Sequence, residues 1–455
     1  MQRENLGSRL GFLLLSAGCA IGIGNVWKFP YITGQYGGAA FVLVYLFFLV
    51  VMGVPMMTME FAVGRASRKS PVASFKALEK PGQKWHLHGY AAMAGNYLLM
   101  MFYTVVAGWM LHYFYLTATG KFVGATTESI DASFGEMTAD PLVLTVWTAI
   151  VVILGFLICS IGLKNGVERV TKYMMLVLFA LILVLAVHSI TLDGAAEGLK
   201  FYLVPDFGKM VDVGIGTVIV AAMNQAFFTL SIGIGSMAIF GSYIGKERSL
   251  AGESVRVAVL DTFVALASGL IIFPACSAFG VKADSGPPLI FKTLPNIFAN
   301  MSGGRIWGSL FFLFMAFAAM STVIAVFENI LSCTLDLTGW SRKKSALVNC
   351  VLMLVLAMPC VLGFNLLSGI TPFGEGSNIM DIEDFLVSNV LLPLGSLVYL
   401  LFCVTKKGWG WDNFTEEANT GKGMKIGKWM RPYVTYILPV VIIVIFIIGV
   451  VDKFI

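Results

Sequence analysis

Charge is what this sequence has least of. Asp, Glu, Lys and Arg make up 13% of its 455 residues, where a soluble chain carries about a quarter. That scarcity excludes a water-surrounded globule, because too few charged side chains exist to cover its surface. Sequence patterns for metal and thiol chemistry are missing too. There is no CxxC and no HExxH, so neither a zinc site nor a redox pair has a motif to rest on. No nucleophile and base stand together, which argues against an intramembrane enzyme. The cysteines Cys19, Cys159, Cys276, Cys333, Cys350, Cys360 and Cys403 all lie in or beside apolar runs and read as small core residues. Histidine is reduced to His86, His88, His112 and His188, at span ends or in loops. No span carries the long polar stripe that a channel pore needs.

What fills the space is apolar. Hydrophobic residues reach 58%, the mean hydropathy is +0.84, and a helix needs about 20 such residues to cross the hydrocarbon. Runs of that kind lie near 10–30, 39–63, 90–119, 141–161, 170–190, 213–243, 254–280, 306–335, 346–366, 384–405 and 433–452. The sequence therefore predicts an all-α integral membrane protein with about eleven transmembrane helices. The first run passes into WKFPY with no small-residue cleavage site, so it is expected to be a retained span, not a signal peptide.

The net charge of +5 sits in short loops, which points to membrane topology and away from nucleic acid. With the N-terminus inside, 23 of the 31 basic residues fall on alternate loops, in the pattern that positive-inside orientation demands. The opposite loops hold Glu128, Asp131, Glu136 and Asp140. The expectation is a plasma-membrane protein with a cytoplasmic N-terminus and an extracytoplasmic C-terminus.

Glycine breaks two of the spans. The first contains GCAIGIGNVWKFPY, residues 18–31, and the sixth contains TLSIGIGSM, residues 229–237. Gly18 and Gly22 form a GxxxG, which alone signals close helix packing. Both clusters, however, sit mid-span beside oxygen-bearing side chains, Asn25 in one and Thr229 and Ser231 in the other, and they lie five spans apart. An odd number of spans per half inverts the second half. Inverted repeats with breaks at equivalent places are the pattern of secondary transporters with a midplane site, because an interrupted helix exposes carbonyls to a cation and amides to an anion. The halves are expected at 1–195 and 196–408, with an inner loop and one additional C-terminal span in 409–455.

Three motifs in order, GxAxGxGNVWKFPY, GVPMMTMEFAVGR and NQAFFTLSIGIGSM, resemble those of the neurotransmitter:sodium symporter family, in its bacterial eleven-span amino-acid transporter branch. The resemblance implies a 5+5 inverted repeat with broken helices 1 and 6, and sodium-coupled import by alternating access. It implies no organic cofactor and two sodium sites. One takes Ala20, Asn25, Thr229 and the substrate carboxylate, and here Asp261 stands where asparagine is common. A fixed carboxylate there replaces the chloride that many animal relatives use, so transport is expected to be chloride-independent. The other uses Gly18, Ile21, Ala318, Ser321 and Thr322, all hard oxygen donors suited to an alkali cation.

By the same resemblance the substrate carboxylate meets the amides at Ile23 and Gly24 and the Tyr103 hydroxyl. Its ammonium meets carbonyls near Ala20, Phe228 and Thr229, beside Ser231. Gly22 occupies the place of an aspartate in the amine-transporting branch, so the substrate brings its own carboxylate. Cys19, Leu99, Phe228, Ile234 and Val326, close to Thr322, line an uncharged side-chain pocket, which implies a hydrophobic or aromatic L-amino acid. Lys28 and Asp384 match an outer gate. Arg3 and Asp336, supported by Ser242 and Tyr243, match an inner one, where the family's tryptophan is Leu6. Glu60 resembles a brace of the first-span break. A proton-coupled transporter of the same fold is the alternative, with Glu60 and Asp261 as its candidate titrating groups.

Overall fold

Uninterrupted apolar runs can satisfy their backbone in lipid only as helices or closed barrels. The computed structural model, which describes residues 4–281 and 289–454, is helical, with no strand among the described residues. Among the described residues nine helices are long and apolar enough to span a membrane: Ala39–Ser67, His86–Ala118, Pro141–Ile161, Leu163–Ile190, Leu250–Ala278, Gly304–Thr338, Arg342–Gly363, Ile379–Val404 and Met430–Val451. Two bent pairs, Arg9–Ala20 with Gly24–Gln35 at 55° and Phe207–Val213 with Ile215–Thr229 at 99°, bring the count to eleven if each is one span. This is the expected all-helical, eleven-span architecture.

The glycine clusters break the helices where they were expected to. In the first span the helix stops at Ala20, Ile21 turns extended with ψ 101°, and the chain resumes as a wide π turn over Gly24–Lys28. The Asn25 side chain caps the restart, its Oδ1 accepting the Gly22 N–H at 3.2 Å. In the sixth, the run expected at 213–243 is the helix Ile215–Thr229, an interruption over 230–235, and the helix Ser236–Gly241. Ser231 has φ 51° within that interruption, a left-handed conformation that an L residue adopts at a cost of about 1–2 kcal/mol.

The second span holds the sixth in place by backbone contact. A Cβ at Gly64 would lie 1.8 Å from the Ala238 carbonyl oxygen, so only glycine allows the two helices to meet so closely. The third and eighth spans pack along one another at the centre, where the rings of Phe156 and Phe327, from the fourth and eighth spans, stack 4.0 Å apart. All seven cysteines are free, and six are buried, as core residues should be.

The fifth span begins at Leu163, seven residues before the expected 170. The charged stretch KNGVER suggested a loop. It is instead a π turn whose Glu168 is buried, accepting N–H groups of Gly7 at 2.7 Å and Ser8 at 3.1 Å and the Ser8 hydroxyl at 3.0 Å. A carboxylate at the start of the first helix meets its positive dipole end there. The helix Trp411–Asn419 closes over the basic face, where Arg65 Nε pairs with Glu417 Oε1 at 2.6 Å and Lys246 with Glu417 at 3.2 Å. The helix Thr127–Ala139, with Glu128, Asp131 and Glu136, belongs to the opposite, acidic face.

Candidate substrate and ion site

At the first break the eighth span brings two hydroxyls onto a ring of carbonyl oxygens. Ser321 Oγ lies 2.9 Å from the Ala318 oxygen and 3.2 Å from that of Ile21. Thr322 Oγ1 lies 3.2 Å from the Ile21 oxygen and 3.3 Å from those of Gly18 and Cys19. A hydroxyl has one proton to donate, so Thr322 satisfies one carbonyl of three. The negative ends that remain are crowded against one another, and a small hard cation is the species that relieves such crowding. The residues therefore fit a sodium ion. The contact of Ser321 with Ala318 is an ordinary back-bond to the preceding turn; only its reach to Ile21 crosses between spans.

A second cluster lies on the other side of Gly22. Asp261 Oδ1 accepts from Asn25 Nδ2 at 2.8 Å, and Thr229 Oγ1 donates to the same carboxylate at 3.0 Å. Asn25, Thr229 and Asp261 are all buried. Asp261 makes no ion pair among the described residues; Arg256, the nearest basic residue before it in sequence, pairs with Glu253 at 2.7 Å, and Arg9 joins them at 2.9 Å. The Asp261 carboxylate is buried, has no cationic side chain against it among the described residues and accepts its hydrogen bonds from the neutral Asn25 amide and Thr229 hydroxyl, so its charge is left for a cation to balance. Gln225 Nε2 ties this cluster to the first break by donating to the Gly24 oxygen at 3.0 Å.

Between the clusters lies a cavity of about 20 Å³, lined by Cys19, Ala20, Gly22, Gly24, Leu99, Tyr103, Phe228, Ser231, Ile234, Thr322, Val387 and Leu392. None of these carries a charge. The Tyr103 hydroxyl accepts the Ile23 N–H at 2.9 Å, and Ser231 Oγ donates to the Cys19 oxygen at 3.4 Å. At Gly22 a Cβ would fall 2.2 Å from the tyrosine hydroxyl and 2.5 Å from Thr322 Oγ1, so no side chain, an aspartate included, fits there in this conformation. Ile23, Thr229 and Val326 are buried but outside the lining. Val387 and Leu392, which sequence reasoning missed, come from the tenth span at the π turn Leu386–Leu391, where an extra residue per turn shifts which side chains face inward.

Above the cavity, Lys28 Nζ lies 3.9 Å from Asp384 Oδ2 and 3.8 Å over the Phe228 ring, which brings the three residues together. On the basic face Arg3 lies outside the described residues. Asp336 accepts the Ser70 N–H at 2.7 Å, and Ser242 Oγ donates to the Ile239 oxygen at 2.6 Å. Tyr243 donates to Glu328 at 2.7 Å, and the Glu328 carboxylate pairs with Arg342, whose Nε donates to the Cys159 oxygen at 2.7 Å. Glu328 was legible as a lone ionisable residue within a span, yet sequence reasoning passed over it. Glu60 differs from its expectation as well. Its carboxylate accepts the N–H groups of Gly233 and, at 3.1 Å, Met237, so these bonds brace the sixth-span break, because the second span packs against Ser236–Gly241.

This geometry agrees with the comparisons. The sodium:neurotransmitter symporter family matches residues 3–128 and 135–454. An uncharacterized sodium-dependent transporter of Bacillus subtilis, YhdH, is 34% identical over 97% of this chain and 96% of its own. An uncharacterized sodium-dependent transporter of Haemophilus influenzae is 31% identical over 98% of each chain. Among solved structures, that of MhsT in complex with L-phenylalanine superposes with a TM-score of 0.88 at 38% identity, covering 98% of this chain and 100% of that one. Two interrupted helices around a charge-free cavity define a secondary transporter. The chain belongs to the sodium:neurotransmitter symporter family, and it is a sodium-dependent membrane transporter, not an enzyme.

Proposed function

We propose that this transporter carries a hydrophobic or aromatic L-amino acid inward with two sodium ions, without chloride. The observation that carries the reading is the convergence of two cation-fitting oxygen clusters on one uncharged cavity. MhsT, solved with L-phenylalanine, supports the substrate class.

Ala20, Asn25, Thr229 and Asp261 hold the first sodium together with the substrate carboxylate. Asp261 supplies the fixed negative charge, which makes chloride unnecessary. Gly18, Ile21, Ala318, Ser321 and Thr322 hold the second. The substrate's carboxylate takes over the amides near Ile23 and Gly24 and the Tyr103 hydroxyl, while Leu99, Phe228 and Ile234 part to admit its side chain. Lys28 and Asp384 close over Phe228 on the extracytoplasmic side, which is the acidic face. Asp336, Ser242 and Tyr243, with Arg3, belong to the cytoplasmic gate. In this reading the N-terminus is cytoplasmic, the C-terminus extracytoplasmic, and the repeats fall at 1–195 and 196–408, followed by the loop and eleventh span of 409–455.

The energetics suffice. Two sodium ions and a zwitterion carry two charges inward, worth roughly 2.3 kcal/mol each at ~100 mV. A tenfold sodium gradient adds about 1.4 kcal/mol per ion. The sum, on the order of 7 kcal/mol, sustains an accumulation of about five powers of ten.

The test is uptake of labelled tyrosine, tryptophan and leucine into proteoliposomes under an inward sodium gradient, against a potassium control, with chloride replaced by gluconate in parallel. Sodium-dependent accumulation that survives gluconate is the expected result. Uptake that follows a proton gradient in the absence of sodium sinks the reading.

A further inference from the structure

The tenth span carries a carboxylate that the transport reading leaves without a role. Glu383 is 3% exposed, and neither of its oxygens has a hydrogen-bond partner among the described residues. The Cys360 thiol lies beside it, its approach falling short of a formed hydrogen bond; Glu383 directly precedes Asp384, the partner of Lys28, on the short helix Ile379–Phe385. Successive helical residues point about 100° apart. Asp384 thus faces the gate while Glu383 is packed away from water.

Glu383 makes no ion pair among the described residues, and Lys453 of the eleventh span, whose neighbour Phe454 packs on Phe385, lies 4.3 Å over the Phe373 ring. The third span, which packs along this helix, has no Asp, Glu, Lys or Arg anywhere in His86–Ala118. Its titratable side chains at this end are Tyr103, which accepts the Ile23 N–H, and His112 and Tyr113, whose rings pack on Trp147 and Phe291 and whose Nδ1 and hydroxyl have no hydrogen-bond partner among the described residues. From the ninth span the group beside Glu383 is the Cys360 thiol, a weak donor. On the same helix Asp381 is turned to the Asn378 N–H at 2.7 Å, and Asp384 accepts from Ser388 at 2.6 Å. An ionised carboxylate is not stable in such a place, whereas the neutral acid is.

We propose that Glu383 is a proton-binding site that couples closure of the Lys28–Asp384 gate to uptake of one proton from the water on the acidic face. The proposal rests on the alternating-access reading only in that the gate opens. With the helix swung outward Glu383 meets water, releases its proton there and is a carboxylate. Closing draws the proton back from the same side. No proton crosses the membrane, so the driving force is unchanged. What changes is the gate equilibrium. An exposed glutamate titrates near ~4.3, and only the neutral acid fits the closed site. The closed form therefore keeps its full advantage below that pH and loses it tenfold per unit above, until the closed site itself titrates.

The first measurement is infrared absorption of the purified protein in lipid nanodiscs at neutral pH, with sodium chloride, before and after addition of L-phenylalanine. The wild type should show the C=O stretch of a protonated carboxylic acid, which Glu383→Gln removes and Glu60→Gln does not. Cys360→Ser keeps the acid and gives it a stronger donor, so it should shift the band; it also serves as the readout if Glu383→Gln does not fold. No such band in the wild type, a band untouched by Glu383→Gln, or one unshifted by Cys360→Ser overturns the proposal. In proteoliposomes, the dependence of sodium-driven L-phenylalanine uptake on external pH should flatten in Glu383→Gln. If the band behaves as expected but no amino acid is taken up, the symport reading fails and the proton site stands.

Discussion

The two oxygen clusters share geometry but differ in charge. The cluster at the first break, Ser321 and Thr322 over the Gly18, Cys19 and Ile21 carbonyls, is neutral throughout. The cluster of Asn25, Thr229 and Asp261 contains a carboxylate with no cationic partner. A neutral cage binds a cation through dipoles alone and releases it readily. A charged one holds the cation firmly and carries its own compensating anion. Under the proposed two-ion reading the contrast gives the sites different work: one would fix the substrate's carboxylate against an ion, and the other would let its ion go.

The largest effect should come from erasing that difference. Asp261→Ala leaves a buried sodium without its fixed anion, a loss on the order of 3–5 kcal/mol, or more than ~100-fold in sodium affinity. Sodium-driven uptake is expected to vanish. Asp261→Asn should keep the oxygen geometry and recover part of the uptake when chloride is supplied. If Asp261→Asn transports equally in gluconate, the charge at this site is not what replaces chloride.

Next in size is Thr322→Val, which removes the hydroxyl shared among three carbonyls. A hydrogen-bonding group lost at a buried site costs about 1–3 kcal/mol, so half-maximal sodium should rise roughly 5- to 150-fold, and the sodium dependence of uptake should become less steep. Chloride should bring no rescue, since this cage never held a charge. Ser321→Ala should cost less, about 1 kcal/mol, or roughly fivefold in sodium, because its proton already serves the Ala318 oxygen of its own helix. Equal losses from the two variants, measured as sodium activation curves, would contradict the division between them.

The two glycine breaks, with Asn25, Thr229 and Ser231 beside them, were legible from the residues alone, whereas Asp261, Ser321 and Thr322 were reached only through the family resemblance, because a Ser-Thr pair in an apolar helix is more often back-bonded to its own turn. The parts that were not legible depend on phase or on distant pairing. Val387 and Leu392 face the cavity because a π turn rotates the tenth span, and hydrophobic periodicity cannot register that shift in a helix apolar all round. Glu168 looked like a loop residue until the chain's first helix, some 160 residues earlier, was found seated on it. The Glu328–Arg342 pair joins the eighth and ninth spans, and Glu60 braces the sixth break instead of the first because of which helix the second span packs against. In each case a residue's type was readable, and its partner was a property of the fold.

The gate offers the smallest effect, and a control on the comparison. Lys28 and Asp384 are 31% and 40% exposed and 3.9 Å apart, so water screens the pair, and its worth is about 0–1 kcal/mol. Lys28→Arg should allow a bidentate contact with Asp384 and extend the stacking over Phe228. The closed gate then gains at most about fivefold. Because the gate touches neither cluster, sodium activation and chloride independence should stay as in the wild type while the rate of substrate release to the outside falls. Single-turnover efflux of labelled substrate reads that rate directly. A change in sodium activation of the size expected for Thr322→Val would mean that gate and ion sites are one cooperative unit, and the separation of the two clusters by charge would have to be argued from the whole vestibule.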